Sequence, residues 1–72
     1  MPEKYEDRLW SAVRERNSMR SNGYPNAVLV SAVASHKAND QWFVIFKNMD
    51  EVESYRTAME NWSIKVTVIT QV

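Results

Sequence analysis

The chain reads as a small α+β domain in the order α-β-β-α-β. Three observations carry that reading: two apolar, β-rich runs follow residue 26, a short amphipathic helix pattern follows them, and a final β-branched run alternates in polarity. A polar helix stands in front. With 72 residues there is material for one domain, so 1–72 is read as a single unit with a thin core. Hydrophobic residues make up 44% and charged residues 25%, a balance that suits a folded domain rather than a disordered chain.

The first helix is expected from Pro2 to about Ser21. Tyr5, Leu9, Ala12 and Val13 recur at helical spacing, and Pro2 suits a first-turn position. Gly23 can close the helix in the left-handed conformation, and Pro25 prevents continuation. Asn22-Gly23 also matches a hairpin turn, but the helical pattern before it favours the helix end.

Ala27 to Ser35 and Gln41 to Lys47 are then read as the two strands of a hairpin, separated by His36-Lys37-Ala38-Asn39-Asp40. Asn48 and Asp50 are alternative N-caps for a second helix, each with an acid three residues on. That helix runs to about Trp62, with Val52, Tyr55, Met59 and Trp62 on one face. Ile64 to Val72 alternates Ile64, Val66, Val68 and Val72 against Lys65, Thr67 and Gln71, the pattern of a half-buried strand.

A strand, a helix and a strand normally form a right-handed crossover. The second and third strands are therefore expected parallel and the first antiparallel to the second, giving a three-stranded mixed sheet with both helices on one face. The sequence leaves open whether the first or the second strand lies in the middle.

Composition narrows function by exclusion. Without cysteine there is no disulfide framework, and no apolar run is long enough for a signal peptide or a membrane span, so a reducing cytoplasm is the expected setting. Nine basic and nine acidic residues cancel, which argues against a purely electrostatic nucleic-acid binder. Ser35, His36 and Asp40 sit in a hairpin loop, where nucleophile and base are not brought into a sheltered site. One histidine and no cysteine supply no transition-metal cluster, and a single glycine supplies no phosphate loop. No enzymatic activity, metal or cofactor is expected.

The sheet face away from the helices is the first candidate site. If Trp42, Val44 and Phe46 join Val66 and Val68 beneath the helices, Phe43 and Ile45 point to the other side, with Leu29, Val33 and Ile69 beside them. Such a patch marks a protein interface, a homodimer included, unless the first helix packs opposite the second and covers it. Trp10, at the border of the first helix's core stripe, is an added anchor, although a large side chain lapping the core edge explains it as well.

Arg14, Arg16 and Arg20, with Lys37, Arg8 and Lys47 as extensions, form the alternative, a phosphate-contacting face; helix-dipole stabilisation and solvation also account for arginines there. Acids Asp50, Glu51, Glu53 and Glu60 on the second helix are explained by its dipole and its solvated outer face. The expectation is a small non-enzymatic protein-binding module, of the kind phages and bacteria use as accessory regulators or inhibitors, occupying a surface of a larger protein. A nucleic-acid-binding regulator and a homodimer through the sheet face are the other readings.

Overall fold

In a computed structural model, residues 5–34 and 41–70 are described. They form α1 (Tyr5–Ser21), β1 (Val28–Ala34), β2 (Gln41–Phe46), α2 (Met49–Glu60) and β3 (Ile64–Val68). Class and element order are those read from the sequence. The segment Ser35 to Asp40 and residues Gln71 and Val72 lie outside the described residues, and so do the readings that fall on them.

α1 ends as its sequence demands. Gly23 has φ 106°, and the N–H of Tyr24 reaches back to the carbonyl of Met19 at 3.0 Å, the six-to-one bond that closes a helix through a left-handed glycine. Pro25 then takes the second place of a turn closed by the N–H of Ala27 on the carbonyl of Tyr24 at 3.0 Å. At the start of α2 the structure chooses Asn48 as the cap: its side-chain oxygen accepts from the Glu51 N–H at 3.1 Å. α2 stops at Glu60, and Ser63, at φ 57°, turns the chain into β3. Trp62 therefore leaves the helical stripe assigned to it and lies in the turn.

The sheet order is β2-β1-β3, with β1 antiparallel to both neighbours. This corrects the mixed sheet. β2 and β3 do run in the same direction, but the α2 crossover passes over β1, so no parallel ladder forms. β1 takes the centre as the strand most deeply buried on both faces: Leu29, Val30 and Ala32 are fully buried, whereas β2 is half-buried along its length and β3 alternates with exposed Lys65 and Thr67.

The helices lie on opposite faces, a second correction. Val52, Tyr55 and Met59 of α2 pack on Val30, Ala32 and Val66, with Trp42, Val44 and Phe46 around them. Side chains alternate along a strand, so Phe43 points the other way, and there its ring meets that of Tyr5 of α1, with centroids 5.6 Å apart. α1 packs over β1 and β2, and its backbone does not lie over β3. Among the described residues, no helix is long and apolar enough to cross a membrane.

The reason for the misplacement lies in α1. The side it turns to the sheet carries Arg8, Ala12, Val13, Arg16 and Met19, so two of its covering residues are arginines whose aliphatic stems pack while their charge obscures the apolar stripe.

Candidate binding surfaces

The structure takes the expected apolar face apart. Leu29 is fully buried beneath α1 and belongs to the core, so it is not available to a partner. Val33, Phe43, Ile45 and Ile69 are half-buried, with Phe43 packed on Tyr5. Trp10 is 48% exposed and stands apart from them. The face is covered by α1, except along β3, where Lys65 and Thr67 are exposed beside Ile69.

The arginines differ in their surroundings. Arg14 is exposed, with Ser11 Oγ 3.4 Å from its guanidinium. Arg16 is only 3% exposed and donates from Nε and Nη2 to Asn17 Oδ1 at 3.3 and 3.0 Å. Arg20 donates from Nε to the carbonyl of Ala27 at 3.1 Å, tying the end of α1 to the start of β1. Lys37 lies outside the described residues. Arg16 and Arg20 line one cleft, and Arg14 is not part of its lining.

Two features absent from the sequence reading emerge at the sheet edges. The Ile69 N–H donates to the Leu29 carbonyl at 2.9 Å, which makes Leu29 and Ile69 a hydrogen-bonded pair of the β1–β3 ladder. Such pairs alternate in an antiparallel ladder, so Thr67 and Lys65 also bond inward. The backbone groups of Ile64, Val66 and Val68 consequently face outward, unpaired among the described residues.

The same parity turns the backbone of Gln41, Phe43 and Ile45 outward from β2. That edge is partly closed: Nη1 of Arg8 donates to the Gln41 carbonyl at 3.3 Å. Among the described residues, the β3 edge has no such guard. Beside it, Arg56 and Glu60 of α2 with Ser63, Ile64, Lys65 and Val66 line a groove of about 310 Å³. Trp62, 70% exposed, is the most exposed large apolar side chain among the described residues and lies in the turn leading into β3.

The signal for the edge was present in the sequence as the alternation of Ile64 to Val68. Its position at the rim of the sheet was not, because strand order depends on which strand is buried on both faces.

No protein-family model matches the chain, and neither a curated protein nor a solved structure matches it.

Proposed function

We propose that this protein is a small binding module that takes up an extended segment of a protein partner by strand addition along β3. The observation that carries the reading is the outward row of backbone donors and acceptors at Ile64, Val66 and Val68. An unpaired, unguarded edge is a template for another strand, and main-chain hydrogen bonds supply affinity whatever the partner's sequence. Side chains supply selectivity: Trp62 offers a large aromatic surface near one end, and Arg56 and Glu60 border the groove with charges of both signs. Acting by occupation of a partner's exposed strand needs no catalytic group, in keeping with a regulatory or inhibitory accessory protein.

The test is affinity capture from the source cell with nuclease present, comparing the native chain with Val68→Pro. The Val68 N–H faces outward, so proline removes an edge donor without breaking the β1–β3 ladder. A stoichiometric protein partner that survives nuclease and is lost with Val68→Pro is the expected result. Recovery of nucleic acid alone, or of a partner indifferent to the proline, would overturn the reading.

A further inference from the structure

At the far end of β3 from the groove beside Ile64, Arg16 and Arg20 share a cleft of about 240 Å³ with Val28, Met49, Val68, Ile69 and Thr70. Arg16 is almost wholly buried, yet no carboxylate pairs with it: among the described residues the one ion pair is Arg56 with Glu53. Its acceptor is the neutral Asn17, reached from Nε and Nη2, which leaves Nη1 without a partner among the described residues. Both Nη atoms of Arg20 are in the same position, since only its Nε is bonded.

A buried charge with no counter-charge is costly, and a like charge one helical turn away adds to the cost. The effect is visible on Arg16 itself, whose guanidinium is held below the ordinary arginine range by burial first and by Arg20 second.

We propose that this cleft binds a small carboxylate with an apolar body. Guanidinium groups match the planar, two-oxygen geometry of a carboxylate and form strong charge-assisted hydrogen bonds with it. Thr70 is a further polar residue in the lining. The remaining walls, Val28, Met49, Val68 and Ile69, suit a short branched hydrocarbon. The apolar walls favour a carboxylate that carries a hydrocarbon body over inorganic phosphate, which has none.

Isovalerate is the probe. Its titration is followed on the nitrogen-15 signals of the Arg16 and Arg20 Nε–H groups and on the methyls of Val28 and Ile69, at constant ionic strength with chloride and isovaleramide as controls. A saturable shift at all four residues with isovalerate alone, weakened about tenfold or more in Arg20→Gln, is the expected outcome, the size following from loss of one charge-assisted bond. Arg20→Gln also removes the bond to the Ala27 carbonyl, so the titration is run well below the variant's own melting temperature, with unchanged amide signals for α2 and β2 as the check that the fold is kept. Equal shifts with chloride or the amide, or an affinity untouched by Arg20→Gln, would overturn the assignment.

Discussion

The indole N–H of Trp42 donates to the hydroxyl of Tyr55 at 2.9 Å, and this bond ties edge strand β2 to α2 across the top of the core. Tyr55 does two jobs at once, since its ring also packs against Phe46 with centroids 5.0 Å apart. Replacing Tyr55 by Phe keeps the ring contact and leaves the Trp42 donor without its acceptor. A loss of about 1 kcal/mol is expected, the site being only partly buried, which for a domain of this size lowers the melting temperature by roughly 4–8 °C. Calorimetry measures it; an unchanged transition would mean that water replaces the hydroxyl at no cost.

Leu29 and Trp10 should separate core from surface. Leu29→Ala is expected to cost about 2–5 kcal/mol, because the side chain is fully enclosed between β1 and α1. Trp10→Ala should cost far less, its ring being 48% exposed. Urea unfolding of the two variants gives the comparison. Similar midpoints would contradict the placement of α1 over the sheet.

Asn48 carries the cap of α2. Asn48→Ala should destabilise by about 1 kcal/mol, whereas Asp50→Ala, at the neighbouring candidate, should remove only a weaker interaction with the helix dipole. Thermal melts of both variants distinguish them, and a larger effect from Asp50 would show that the cap had been misassigned.

Arg16→Met tests the unpaired buried charge. The change keeps much of the aliphatic stem and removes the charge, so stability should stay level or rise, by up to about 2 kcal/mol. Titration cannot do this experiment. The folded-state pKa of Arg16 is lowered, so its protonated form is disfavoured by folding, and that penalty holds throughout the pH range below the depressed pKa and is relieved only as pH rises through it. A chemical-denaturation loss of more than about 1 kcal/mol would show that the Asn17 bonds outweigh desolvation.

The local elements were legible because their causes are local. Gly23 and Pro25 end α1, Asn48 begins α2, and the alternation from Ile64 makes a strand wherever that strand lies. Even the doubt between Asn48 and Asp50 was confined to two residues. The sequence by itself therefore determined the class, the order of elements and most of their ends.

Tertiary packing decided the rest. β1 became central because its residues bury on both faces, which put β2 and β3 at the edges and made the sheet antiparallel. α1 went to the face opposite α2, where Arg8 and Arg16 cover the sheet with aliphatic stems, and no hydrophobic periodicity reveals an arginine used in that way. That one placement buried Leu29 and dissolved the expected apolar patch, and among the described residues the β3 edge and the Arg16–Arg20 cleft keep unmet bonding capacity. Which groups are unpaired depends on what packs against them, a property of contacts between segments distant in the chain.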